Sequence, residues 1–66
     1  MTIKQIENDY NRNFNPSNDR IVDIYKYFVD GTDLVNIVTI SSNHVVYKIS
    51  FYIENGELHF IHCECM

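Results

Sequence analysis

The sequence predicts an α+β fold in which two N-terminal helices are followed by a three-stranded antiparallel β-meander. Three observations support this prediction. Apolar residues near the N-terminus recur at helical spacing, a proline and a glycine bound the next segment, and the C-terminal half has strand-like segments around an Asn-Gly pair. The 66 residues are expected to form a single small α+β domain, residues 1–66, with a small core and marginal stability.

The first predicted helix spans about 3–13. Thr2 and Gln5 have the spacing of a capping box, in which each side chain accepts a hydrogen bond from the backbone of the other residue. An apolar stripe follows at spacings of three, four and four residues: Ile3, Ile6, Tyr10 and Phe14. Pro16 marks the boundary of this segment, because the residue before a proline disfavours helical backbone.

The second predicted helix spans about 17–30 and is ambiguous, because most of its apolar residues are β-branched or aromatic and favour strands. Its polar residues recur at spacings of four, three and four: Asp19, Asp23, Lys26 and Asp30. This period favours a helix that ends at Gly31 and carries an acidic face formed by Asp19, Asp23 and Asp30. The alternative is a strand with Asp30-Gly31 as its turn, which gives one helix followed by a four-stranded antiparallel sheet.

The segments after Asp33 read as three strands, LVNIVTIS, HVVYKISFYIE and ELHFIHCEC. Asn55-Gly56 is a strong hairpin signal, and Ser42-Asn43 is a weaker turn signal. A two-residue turn at Asn55-Gly56 fixes which residues lie opposite each other. On one face it pairs Ile53 with Leu58, Phe51 with Phe60, Ile49 with His62 and Tyr47 with Glu64. The apolar pairs predict that this face meets the helices.

The second face of the predicted sheet pairs Tyr52 with His59, Ser50 with Ile61, Lys48 with Cys63 and Val46 with Cys65. Two short helices can cover one face of the sheet, so this second face is expected to be left open and to contact a partner or a second copy. The expected interface comprises seven residues: Val46, Lys48, Tyr52, His59, Ile61, Cys63 and Cys65. The alternative is that one helix crosses each face and leaves neither open.

The cluster of His59, His62, Cys63 and Cys65 contains zinc-type ligands. Strand geometry argues against a metal site, because alternation directs His62 away from the other three and places His59 far along the strand from Cys63. The two cysteines are more simply explained as small apolar strand residues than as a redox pair. We therefore expect free thiols, no metal and no cofactor.

The charge balance excludes one common class of function. Nine acidic residues against five Lys and Arg give a net charge of −4, and no basic cluster could meet a phosphate backbone, so direct nucleic-acid binding is not expected. No Gly-rich phosphate loop or recognisable catalytic constellation occurs, so we expect a non-enzymatic protein. No apolar run exceeds three residues, which predicts no membrane segment and a cytoplasmic location.

These features together predict a small acidic protein-protein interaction protein, homodimeric, that binds and inhibits or modulates a larger host protein, such as a defence-system or nucleic-acid-processing protein. The abundance of Asn and Ile and the lack of Ala indicate AT-rich coding DNA, as in a low-GC bacterial host or one of its phages or mobile elements. The second hypothesis is a homodimeric small-molecule-binding domain with a pocket at the sheet face near Lys48, Tyr52 and His59. A third is a metal- or thiol-dependent regulator.

Overall fold

The computed structural model describes residues 1–66 and contains one helix and four strands. Their bounds are Ile3–Asn13 for α1, Arg20–Val29 for β1, Thr32–Ile40 for β2, Val46–Glu54 for β3 and Glu57–Cys65 for β4. The strands form one antiparallel sheet in the order β1-β2-β3-β4. This α+β architecture is the alternative that the sequence offered, and the prediction of two helices and three strands was wrong.

The prediction of α1 over 3–13 is confirmed, and so is its capping box. The Thr2 hydroxyl accepts a hydrogen bond from the Gln5 backbone N–H at 3.2 Å, and the Gln5 side chain accepts one from the Thr2 backbone N–H at 2.7 Å. These two bonds satisfy backbone donors that the first turn of a helix otherwise leaves unpaired. The start of α1 is therefore fixed by local chemistry.

The predicted helix over 17–30 is replaced by β1, because the strand preference of its β-branched and aromatic residues prevails over the polar period. Asp30 and Gly31 have φ values of 50° and 81°, as both central residues of a tight type I′ hairpin turn require. The helical acidic face therefore does not exist. Asp23 lies opposite Val38 on one face of the sheet, whereas Lys26 lies opposite Val35 on the other.

The predicted turn at Asn55-Gly56 is confirmed, with φ values of 54° and 73°. The predicted register holds from the turn to the Phe51–Phe60 pair and then fails, because a β-bulge leaves Ile61 without a partner on β3. Beyond the bulge, the observed pairs are Ser50–His62, Ile49–Cys63, Lys48–Glu64 and Tyr47–Cys65. A second bulge lies on β1 between Ile21 and Asp23.

The core lies between α1 and one face of the sheet. Six buried residues form it: Ile6, Tyr10, Val35, Ile37, Phe51 and Leu58. Phe51 is fully buried, and its ring lies 6.0 Å from that of Tyr10, 5.0 Å from that of Phe14 and 6.1 Å from that of Phe60, measured between centroids. Aromatic contacts around one side chain therefore join the helix, the segment after it and two strands.

Phe51→Ala is expected to lower the free energy of unfolding by about 3–5 kcal/mol, because it removes a buried ring and leaves a cavity. A 66-residue domain has only about 3–10 kcal/mol in total, so this loss is a large fraction of its stability. Phe28→Ala is the matched control, since Phe28 is 68% exposed. Urea denaturation measures both, and equal losses in the two variants would contradict this core.

Candidate functional site

The face of the sheet opposite α1 is covered by no other element, and we call it the open face. Directly opposed residues on neighbouring strands share a face, so the register arranges its side chains in rows across the sheet. Among the rows that cross all four strands, the one nearest the Asp30-Gly31 and Asn55-Gly56 turns consists of Tyr27, Leu34, Tyr52 and His59. We call it the aromatic row.

The aromatic row is accessible over its whole length. The Tyr27 side chain is 41% exposed, and the other three residues are half-buried by their neighbours in the sheet. The rings of Tyr52 and His59 stack with centroids 4.9 Å apart and an angle of 18° between their planes. Stacking presents two ring faces as one surface and restricts both side chains before any partner binds.

The second row of the open face is polar and consists of Tyr25, Asn36, Ser50 and His62. The Ser50 hydroxyl donates a hydrogen bond of 2.8 Å to the Asn36 side-chain oxygen, which satisfies a hydroxyl in the middle of the sheet. At the β1 end, a hydrogen bond to Asp23 and its negative charge raise the pKa of the exposed Tyr25 phenol. The second row therefore extends the surface of the aromatic row towards the Asp23 carboxylate.

The third row consists of Asp23, Val38, Lys48 and Glu64. Lys48 Nζ lies 2.6 Å from a Glu64 carboxylate oxygen, so an ion pair joins β3 to β4. The hydrogen bond and the charge of each partner raise the pKa of Lys48 and lower the pKa of Glu64. The pair is largely exposed, so it fixes the register of the two strands more than it stabilises the fold.

Four carboxylates lie at the end of the sheet that carries the Asp30-Gly31 and Asn55-Gly56 turns. Glu54 and Glu57 lie on the open face beside the aromatic row, whereas Asp33 lies on the face that carries α1 and Asp30 lies in the turn between β1 and β2. We call this group the acidic end: Asp30, Asp33, Glu54 and Glu57. The three salt bridges of the structure involve none of them. Glu54 and Glu57 lie directly opposite each other across the Asn55-Gly56 turn, an arrangement in which like charges repel. None of the carboxylates of the acidic end is therefore neutralised by an ion pair.

The structure divides the seven predicted interface residues. Val46, Lys48, Tyr52 and His59 lie on the open face, and Ile61 is the extra residue of the β4 bulge. Cys63 and Cys65 lie instead on the face that carries α1, where both thiols are free and exposed. The predicted pairs Lys48–Cys63 and Val46–Cys65 were wrong, because the bulge shifts the register by one residue.

Several open-face residues were missed by the sequence interpretation. Tyr25 and Tyr27 join the face because residues 20–29 form a strand, and Leu34 of β2 joins it because the register places it opposite Tyr52. His62 and Glu64 join it because of the bulge. The adjacent apolar residues Phe60 and Ile61 were a signal for that bulge, since they interrupt the alternation expected of a regular strand.

The acidic side chains Asp19, Asp23 and Asp30 do not share a surface of one element. Asp19 precedes β1, Asp23 lies within it on the open face, and Asp30 lies in the turn after it. The His and Cys residues of the C-terminal strand are likewise divided between the two faces, and nowhere do three or more His, Cys, Asp or Glu side chains converge on a point where they could hold a metal ion.

No family model matches this chain, and no curated protein or solved structure matches it either. The single helix is too short to cross a lipid bilayer. The functional argument therefore rests on the open face and its charges.

Lys48→Met is expected to raise the pKa of Glu64 towards its ordinary value, because Glu64 loses a hydrogen bond and a neighbouring positive charge. With its pKa lowered in the folded state, Glu64 stabilises the fold above its unfolded-state pKa, and this contribution is lost as the pH falls through the folded-state value. NMR titration of the carboxyl carbons measures the shift. Lys4→Met is the control, because it removes a cation that pairs with Glu7 and not with Glu64, and it should leave the Glu64 pKa unchanged. An unchanged Glu64 pKa in Lys48→Met would contradict the register beyond the bulge.

Proposed function

We propose that this chain is a small non-enzymatic interaction protein that binds a basic surface of a larger protein through the aromatic row and the acidic end. The observation that carries the proposal is the solvent-accessible row of Tyr27, Leu34, Tyr52 and His59, which no other element of the chain covers. Tyrosine is enriched in protein interfaces, because it combines a large apolar body with a polar tip and loses little conformational freedom on binding.

The charges favour a basic partner. Six of the nine carboxylates of the chain make no ion pair, and four of these six form the acidic end. An Arg side chain of a partner could stack its guanidinium group on a ring of the aromatic row while it pairs with Glu54 or Glu57. Binding of a cation there would also relieve the repulsion between these two carboxylates.

Basic grooves of this kind are typical of proteins that hold nucleic acid. In a low-GC bacterial cell, a defence-system or nucleic-acid-processing protein is the class of partner that fits. An acidic protein seated in such a groove would compete with the phosphate backbone and inhibit the larger protein. On the same grounds we propose that the chain is of phage or mobile-element origin. It would act in the cytoplasm and would need no catalytic machinery of its own.

Self-association is the competing use of the open face. Two stacked copies would bury the aromatic row, but each carries a net charge of −4 and an uncompensated acidic end, and these charges oppose the contact. A small-molecule pocket at this face would also need a second copy, because all four cavities of the structure border α1 or the segment that follows it. The basic heterologous partner is therefore the proposal.

The proposal predicts that Tyr27→Ser with Tyr52→Ser weakens partner binding at least tenfold, about 1.4 kcal/mol, because central aromatic residues carry much of the energy of an interface. Affinity capture from a low-GC bacterial lysate identifies the partner, and calorimetry with the purified partner measures the affinity. Phe28→Ser removes an aromatic side chain that is more exposed than either tyrosine but lies on the other face, and it should leave binding unchanged.

Glu54→Lys with Glu57→Lys should abolish binding, and raising the salt concentration should weaken binding of the unaltered chain. The proposal fails if Phe28→Ser is as harmful as the tyrosine pair. It also fails if the captured partner contacts the chain through an acidic surface, or if sedimentation shows only a homodimer that buries the open face.

A further inference from the structure

A groove with a volume of about 450 Å³ lies between α1 and β1, at one margin of the sheet. We call it the margin groove. One wall is the side of α1 from Ile3 to Asn11, and the other is the chain from Asp19 to Ile24. No residue of the aromatic row or of the acidic end lines this groove, so its use is independent of the proposed function.

The apolar floor of the margin groove comes mainly from β1, the strand that α1 covers least. None of the ten residues of β1 is buried, and the six residues of the core cluster come from α1, β2, β3 and β4. Ile21 and Ile24 pack against the core but are only half-buried, and Val22 is 54% exposed. Ile3 on the opposite wall is 47% exposed. The groove therefore leaves aliphatic surface in water, which is typical of a site that a partner covers.

The rim of the margin groove is acidic. Glu7, Asp19 and Asp23 line the groove, and no Lys or Arg does. Neither aspartate makes an ion pair, and Glu7 has only a contact of 3.9 Å with the exposed Lys4. The Asp23 carboxylate is held in position, because it accepts a hydrogen bond of 2.8 Å from the Ile24 backbone N–H. The groove thus combines an apolar floor with a negative rim, and a cationic partner is complementary to both charge and surface.

The dimensions of the margin groove match a short helix. The wall from Ile3 to Asn11 covers about 12 Å at 1.5 Å per helical residue, and the wall from Asp19 to Ile24 covers about 16 Å at 3.3 Å per strand residue. These lengths correspond to about two to three turns of α-helix. Helices packed side by side lie about 8–10 Å apart, so a helix lying next to α1 would rest on the outer strand β1.

We propose that the margin groove binds a basic amphipathic helix of a partner protein, with the apolar face of that helix on the aliphatic floor and its Lys or Arg side chains towards the acidic rim. An extended segment fits less well, because the bulge at Val22 interrupts the row of backbone groups with which a fifth strand would pair. A second copy of the chain, with its net charge of −4, lacks the positive charge that the rim attracts.

The probe is a synthetic three-turn helix, kept helical by a hydrocarbon staple, with leucine on one face and lysine on the other. The same helix with glutamate in place of lysine is its matched control. Amide chemical shifts of the chain are recorded by NMR during titration with each peptide. We expect the lysine peptide to bind about tenfold more tightly, with shifts in residues 3–11 and 19–24. Equal binding of the two peptides, shifts confined to the open face, or no binding at about 1 mM would overturn the proposal.

Val22→Ser tests the apolar floor without altering the core, because Val22 is the exposed extra residue of the β1 bulge. This variant should bind the lysine peptide about fivefold more weakly. Ile61→Ser is the matched control, since Ile61 is the extra residue of the bulge in the opposite outer strand, is 46% exposed and does not line the groove. Equal losses of affinity in the two variants would contradict the proposed position of the helix.

Glu7→Gln with Asp19→Asn tests the acidic rim and should weaken binding of the lysine peptide about tenfold. Glu54→Gln with Glu57→Gln removes the same number of charges from the acidic end and should change this affinity less than about twofold. If the second pair weakens binding as much as the first, the attraction follows the net charge of the chain and not the groove, and the proposal is wrong.

Two further measurements separate the margin groove from other uses of the surface. Tyr27→Ser with Tyr52→Ser, which tests the proposed function, should bind the lysine peptide as tightly as the unaltered chain does, because neither tyrosine lines the groove. The two proposals can therefore fail separately. Sedimentation of the chain alone, with chemical shifts recorded on dilution, tests the other occupant, and a dimer that buries residues 19–24 would assign the groove to a second copy and reject the basic helix.

Discussion

One short helix can cover only one face of a four-stranded sheet, and the rest of this structure depends on that constraint. The packing of Phe51 against Tyr10 and Phe14 determines which face α1 occupies. Strand side chains alternate, so this choice directs Val35 and Ile37 inward and Leu34 and Tyr52 outward. The core and the open face are therefore two consequences of the same contact, and neither can change without the other.

The bulge in β4 adds only one residue, but it changes which residues of the strand reach the open face. One extra residue, Ile61, exchanges the faces of all the residues that follow it in the strand. It moves Cys63 from the open face to the face that carries α1, and it brings Glu64 to Lys48. The bulge therefore places His62 at the β4 end of the second row and Glu64 at the β4 end of the third row.

Local chemistry decided what could be predicted from the sequence. The start of α1 and the Asn55-Gly56 hairpin were predicted correctly, because a capping box and a type I′ turn are each specified by neighbouring residues. Residues 20–29 were misassigned, because four polar residues matched a helical period by chance while the strand preference of the apolar residues expressed itself only by pairing with β2. The cavity lined by Tyr10, Thr39, Tyr47 and Cys63 was not predictable, because these residues come from four separate elements of the chain.

The two bulges also bear on whether further chains can pair with the outer strands of the sheet. Both lie on outer strands, near Val22 in β1 and at Ile61 in β4. A regular outer strand offers a row of unpaired N–H and C=O groups on which further chains can be added, and this growth leads to fibrils. A bulge interrupts that row and increases the local twist. The irregularities that shape the binding surfaces therefore also protect both margins of the sheet against amyloid-like stacking.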